Sequence, residues 1–185
     1  MYKKFLLTGE PKAGKSYLLN QLIESFKKNK SIKVRGFISD EISFDGVRIG
    51  ISMRDITTHK TELMAVKIFK KEKYNSKKSH KIASYQVNTK ALENVTLPVF
   101  RDKSPCNILI VDEIGRMELL SKKFEKEITK LFSKNHPYTI IAVVPYATDV
   151  KYVEKLKNRD DVEMIVLRKK VRGKMFGKVR KKILN

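Results

Sequence analysis

Eight residues near the amino terminus, GEPKAGKS from Gly9 to Ser16, constrain this chain more than any other stretch. They fit the pattern G-x-x-x-x-G-K-[ST], in which the backbone N–H groups of a glycine-bearing loop surround an anion. The pattern carries meaning only between a strand and a helix, and both flanks comply. Lys3–Thr8 reads as a short buried strand. Beyond the loop Leu18, Leu19, Leu22, Ile23 and Phe26 recur at helical spacing and predict an amphipathic helix from Lys15 to about Lys28.

The rest of the chain is read from that start. RGFISDEISFDGVRIGISMRD predicts a hairpin around an Asp45-Gly46 turn, with Val47, Ile49, Ile51 and Met53 alternating on its second strand. β-like runs follow at Glu62–Ile68 and Ile82–Val87, separated by the polar stretch KKEKYNSKKSHK, which reads as a mobile loop. Thr89–Phe100 is expected to be a helix that closes near Pro98. Strands at Asn107–Val111, Thr139–Val144 and Val162–Leu167 then alternate with helices at Ser121–Ser133, Val150–Asn158 and the basic tail. Apolar strands separated by helices imply an α/β fold: a mostly parallel sheet with helices on both faces, carrying an added antiparallel hairpin after the first helix. No repeat or linker divides the 185 residues, so one domain over residues 1–185 is expected.

Each loop residue has its own chemistry. Gly9 and Gly14 permit a backbone path and a close approach that a side chain would obstruct. Lys15 brings positive charge to the outer phosphates, and Ser16 offers a hydroxyl to Mg²⁺. Glu10, Pro11, Lys12 and Ala13 complete the cradle, and the following helix turns its positive end toward the anion. About a hundred residues on, NILIVDEIGRMELL places Asp112 and Glu113 after four apolar residues. An acid at the carboxyl end of a buried strand sits where open α/β sheets place ligands. Asp112 is therefore a candidate to hold the metal through water, and Glu113 to orient and deprotonate a water for attack on the γ-phosphorus. The plainer reading of the pair is a helix start, where two acids favour the dipole.

Charge sets a second question. The formal net charge is +21 and the isoelectric point about 10.0, a balance that attracts polyanions. The blander account is a lysine-rich solvated surface, and lysine does outnumber arginine here. The tail RKKVRGKMFGKVRKKILN packs nine basic residues into Arg168–Lys182, while Val171, Met175, Val179 and Ile183 fall at steps of four with Phe176 beside them. That line predicts a helix packed on the sheet, with nucleic-acid binding through the tail as the alternative. Against a base-stacking surface, aromatics are 9% with no tryptophan. The lone Cys106 excludes an internal disulfide and suits a reducing compartment. His59, His80 and His136 show no metal-ligand spacing. No apolar run is long enough to span a bilayer, and Phe5–Leu7 is too short for a signal-peptide core, so a cytoplasmic protein is expected, and separately a monomer.

These stretches together resemble the THEP1-type, or cancer-related, nucleoside-triphosphatases. Gly9–Ser16 is similar to that family's first motif, and Gly36-Phe37-Ile38-Ser39-Asp40-Glu41 with Arg48-Ile49-Gly50 to its GFYTEE…RIGF segment. Tyr85-Gln86-Val87-Asn88 resembles its Y-x-V-N. Asp112-Glu113-Ile114-Gly115-Arg116-Met117-Glu118-Leu119 resembles its DEIGKMEL, and Lys157-Asn158-Arg159 with Asp161-Val162 its I-K-N-R-x-D-V. The resemblance implies a RecA-like P-loop fold and Mg²⁺-dependent hydrolysis of nucleoside triphosphates, ATP and GTP among them, with tolerance of the base. Arg116 replaces the family's lysine and could still offset charge on the transferring phosphoryl group; the alternative is a surface ion pair with Glu113 or Glu118. Asp40-Glu41 replaces a Glu-Glu pair, Pro145 follows the strand where a histidine is expected, and the family's terminal N-R-D gives way to basic sequence. Two other functions use the same parts: a kinase passing the γ-phosphoryl to a hydroxyl, and a nucleic-acid-binding module with secondary ATP turnover.

Overall fold

The computed structural model describes residues 3–69, 79–133, 135–169 and 172–184. In chain order the elements are β1 (Lys4–Gly9), α1 (Lys15–Lys28), β2 (Val34–Phe44), β3 (Val47–Asp55), β4 (Thr61–Lys67), β5 (Ser79–Ile82), β6 (Tyr85–Asn88) and α2 (Thr89–Arg101). Then come β7 (Ile108–Val111), α3 (Lys122–Ser133), β8 (Thr139–Val143), α4 (Lys151–Lys157), β9 (Val162–Leu167) and α5 (Arg172–Leu184). They group into two compact units. One comprises Met1–Arg35, Ser104–Gly115 and Phe132–Asn185; the other comprises Gly36–Lys103 and Arg116–Leu131.

In the first unit the strands run parallel in the order β7-β8-β1-β9. Every residue from Phe5 to Thr8 is buried, which a strand achieves only when both faces of its sheet are covered. This is why β1 reads as a continuous apolar run rather than an alternating one. α1 buries Leu18, Leu19, Leu22, Ile23 and Phe26, and on its flank Ser25 Oγ accepts a 2.6 Å hydrogen bond from Arg180 Nε of α5. α5 inserts Val179 and Ile183 into the core while Lys178, Lys181 and Lys182 stay in water, with Lys182 paired to Glu163. The apolar line foreseen in the tail is thus a packing face; its first member, Val171, lies outside the described residues.

At the amino ends of these strands the polar groups close on one another. Lys4 Nζ donates to Asp161 Oδ2 at 2.6 Å and to the Phe132 carbonyl at 3.0 Å. Arg159 grips Asp161 with two bonds of 2.7 and 2.9 Å and donates to the same carbonyl at 2.9 Å. The orphan carbonyl near the end of α3 is therefore satisfied by two cations. Arg159 and then Lys4 hold the Asp161 carboxyl well below its usual range, against the opposing effect of burial.

The second unit is antiparallel, in the order β5-β6-β4-β3-β2, so the predicted hairpin is one part of a larger array. Asp45 and Gly46 both take positive φ, 49° and 70°, which suits the right-handed twist of a two-residue hairpin turn. α2 packs on β3 and β4, capped by Asn88, whose side chain accepts from the Lys90 and Ala91 amides. Phe37 meets Phe100 and Phe124 edge-on at centroid distances of 5.5 and 6.0 Å, and Phe100 and Phe124 lie tilted to each other at 5.9 Å.

Two local expectations are revised here. α2 does not close at Pro98 but runs on to Arg101 with Pro98 inside it. The missing proline N–H would have bonded the Asn94 carbonyl, and Lys60 Nζ takes that place at 3.0 Å. The run Ile82–Val87 is not one strand: Ala83, at φ 51°, turns the chain between β5 and β6. Most of the lysine-rich stretch before β5, residues 70–78, lies outside the described residues.

Candidate active site

The loop grows directly from β1. Gly9 ends the strand at φ 156°, and a Cβ built there would lie 2.5 Å from the Leu167 carbonyl oxygen of β9, inside any tolerable contact. Only glycine lets the two backbones come so close. Lys12 turns the loop at φ 63°, and the Ala13 amide donates to the Glu10 carbonyl at 3.0 Å. Gly14 then caps α1 in the left-handed region at φ 95°, with no side-chain cap and no acid in the helix's first turn. The first-turn N–H groups and the helix dipole thus present positive potential where the loop curls over them. Lys15 folds back across the cradle, donating to the Gly9 carbonyl at 2.7 Å and the Glu10 carbonyl at 3.2 Å. Glu10, Pro11, Lys12 and Ser16 are exposed, and Ala13 is buried.

Ser16 stands nine positions before Ser25 on α1, which is about 180° around the helix. Since Ser25 meets α5, the Ser16 hydroxyl lies on the opposite flank, away from the β9 side. On that side comes β8 and then β7. The register aligns Leu6 with Ala142 and Ala142 with Val111, so Asp112 leaves the sheet level with Leu7 two strands away, about 10 Å across. Asp112 is 4% exposed and Glu113 half-buried; the peptide bond joining them is cis. The next residue is tied down by the Ile114 amide, which donates to the Val143 carbonyl at 2.8 Å. Loop and acids therefore share the carboxyl edge of one parallel sheet, with a single strand between them. A crevice outside that edge is where such sheets take ligands.

The other candidates belong to other segments of the chain. Arg116 is exposed and belongs to the second compact unit, as do Asp40 and Glu41. Asp40 is held by Arg54 in a two-pronged pair of 2.6 and 3.1 Å, and Glu41 lies 3.7 Å from Arg48, whose guanidinium covers the Tyr85 ring. Of the Lys157-Asn158-Arg159 segment with Asp161, Arg159 and Asp161 build the knot described above at the amino end of the sheet, the far end from the loop, while Lys157 Nζ donates to the Tyr146 carbonyl past β8 at 3.0 Å. Cys106 donates to the Ile108 carbonyl at 3.2 Å, an ordinary packed thiol. Sequence reading missed one contact: Lys169, just past β9, lies 3.9 Å from Glu10 of the loop. No spacing signals it, because the two are joined only through the strand register.

A glycine cradle on β1, a helix start above it and a buried acid two strands away define a P-loop nucleotide-binding protein. Comparison with known proteins gives the particular family. A sequence profile described as "NTPase" matches residues 4–180. The chain is 31% identical over 180 residues to the Nucleoside-triphosphatase THEP1 of Thermotoga sp. (strain RQ2), covering 95% of this chain and 92% of that protein. With the human Cancer-related nucleoside-triphosphatase it shares 29% over 185 residues, covering 95% and 94%. The crystal structure of THEP1 from Aquifex aeolicus superposes with a TM-score of 0.78 at 24% identity, covering 98% of this chain and 99% of that one, which bears on the fold. The chain belongs to the THEP1/cancer-related nucleoside-triphosphatase family, and with it to the P-loop hydrolases. Among the described residues no helix is long and apolar enough to cross a membrane.

Proposed function

We propose that residues 1–185 act as one Mg²⁺-dependent domain that cleaves nucleoside 5′-triphosphates to diphosphate and phosphate with little regard for the base. The observation that carries this reading is the shared carboxyl edge, with Gly9–Ser16 on β1 and Asp112-Glu113 on β7 one strand apart. The donor set suits a hard cation, because an exposed serine hydroxyl and a buried carboxylate are both oxygen ligands. Ser16 and Asp112 would hold Mg²⁺, which when bound offsets negative charge on the β- and γ-phosphates.

The loop amides of Gly9–Ser16 receive the polyphosphate, and Lys15 exchanges two loop carbonyls for phosphate oxygens. Charge-assisted bonds to phosphate are stronger than those to neutral carbonyls, so the exchange runs toward the ligand. Glu113, half-buried beside the metal-side acid, accepts a proton from the attacking water. Base tolerance follows from a cradle whose donors are addressed to phosphate alone.

The test is phosphate release from ATP, GTP, CTP and UTP, with and without Mg²⁺ and with no acceptor added. Release from all four that needs the cation supports the reading; release that appears only with a hydroxyl acceptor makes the protein a kinase. The exposed lysines of α5 are the surface through which weak nucleic-acid binding is proposed. RNA that binds with a steep salt slope and accelerates release would promote the nucleic-acid role to the main one.

A further inference from the structure

Resting on that reading, we propose that Lys169, with Arg168 beside it, forms a base-indifferent subsite for the α-phosphate on the side of the loop away from Asp112. The direction of the bound polyphosphate follows from the two flanks of α1. Ser16 and Asp112 define the metal flank, and the γ-phosphate belongs there. A linear triphosphate laid along the loop must then lead its α-phosphate and nucleoside toward the opposite flank. The strand order puts β9 on that flank, directly beside β1. Gly9 stands level with Leu167, and the approach is so close that a Cβ on Gly9 would strike the Leu167 carbonyl at 2.5 Å. The chain therefore leaves β9 against the loop itself, and the next two residues are Arg168 and Lys169, both exposed.

Lys169 already reaches the loop, its Nζ 3.9 Å from Glu10 Oε2, with side chains 62% and 60% exposed. So wet and long a pair is easily exchanged, and a phosphate oxygen is a stronger partner than a solvated carboxylate. Glu10 thus holds the ammonium beside the cradle until the nucleotide displaces it. An ammonium is a point charge without the geometry to read a base edge, so its contribution is the same for every nucleotide. Base tolerance then has a source in the chain's own residues rather than in the mere lack of a base pocket.

The experiment measures affinity for a fluorescent ATP analogue and KM and kcat for ATP, GTP, CTP and UTP in the wild type and three variants. Lys169→Ala should weaken binding and raise KM by about 5- to 10-fold, by the same factor for all four bases, with kcat within about 2-fold. Lys169→Arg should restore affinity, and Glu10→Gln should tighten it by about 2-fold by removing the competing carboxylate. Unchanged affinity in Lys169→Ala, a loss confined to one base, or a fall in kcat alone would each overturn the subsite, as would weaker binding in Glu10→Gln. A wild type that binds the analogue without turning over any nucleotide would sink the proposed hydrolysis while leaving the subsite to be judged by the affinity ratio. A wild type that binds no nucleotide would sink both.

Discussion

The parallel strands of the first unit end in opposite ways. At the amino ends of β1 and β9, Lys4, Arg159 and Asp161 satisfy one another and the Phe132 carbonyl, so these three charges all have protein partners. At the carboxyl ends, a lysine leans on loop carbonyls, a helix start has no side-chain cap, and acids stand two strands from a glycine cradle. Both ends are rich in charge. What separates them is the kind of partner: at the amino ends opposite charges are matched with one another, whereas Lys15 at the carboxyl ends rests on backbone carbonyls of a glycine loop.

The comparison can be broken at either end. Gly9→Ala should do the most damage, because it drives a methyl into the Leu167 carbonyl and strains a positive φ. Nucleotide binding should fall below detection, with the melting temperature lower by at least about 5 °C. Near-normal affinity would show that the cradle is not where the loop geometry puts it.

Asp161→Asn works at the other end and should split the readouts the opposite way. The melting temperature should drop by about 3 °C while kcat and KM hold within about 2-fold. Since the Asp161 carboxyl is depressed in the folded state, its stabilisation is fully present above the unfolded pKa near 4 and is lost as pH falls through the folded value. The variant should therefore differ most from wild type at neutral pH and converge with it in acid. Lost turnover with an unchanged melting temperature would dissolve the distinction between the two ends.

Lys60→Ala should have the smallest effect, about 0.5–1 kcal/mol in urea unfolding, because it exposes one helix carbonyl opposite Pro98 to water. It sharpens the contrast by giving the scale of a single satisfied carbonyl outside the first unit.

How much could be read from sequence follows the same physics. β1, the loop and α1 were legible because their signals are local: an apolar run, two glycines and a 3.6-residue period. The Asp45-Gly46 hairpin was legible because both residues tolerate positive φ. The turn at Ala83 was not, since alanine gives no hint of that conformation. Pro98 misled because its missing donor is replaced by Lys60, 34 positions before the Asn94 carbonyl it bonds. Lys4 and Asp161 are separated by 157 positions, and only the strand register brings them together. Asp112 and Glu113 were found through the apolar strand before them, whereas the place of Arg116 in the second unit depends on the path of the chain after that strand.

The most direct test of the central claim is Glu113→Gln, assayed for nucleotide affinity, melting temperature and phosphate release together. A glutamine keeps the shape and loses the proton acceptor, so affinity and melting temperature should stay near wild type while kcat falls by about 100-fold or more. Phosphate release at the wild-type rate would contradict the account, because it would leave the acids of the carboxyl edge without chemistry to perform.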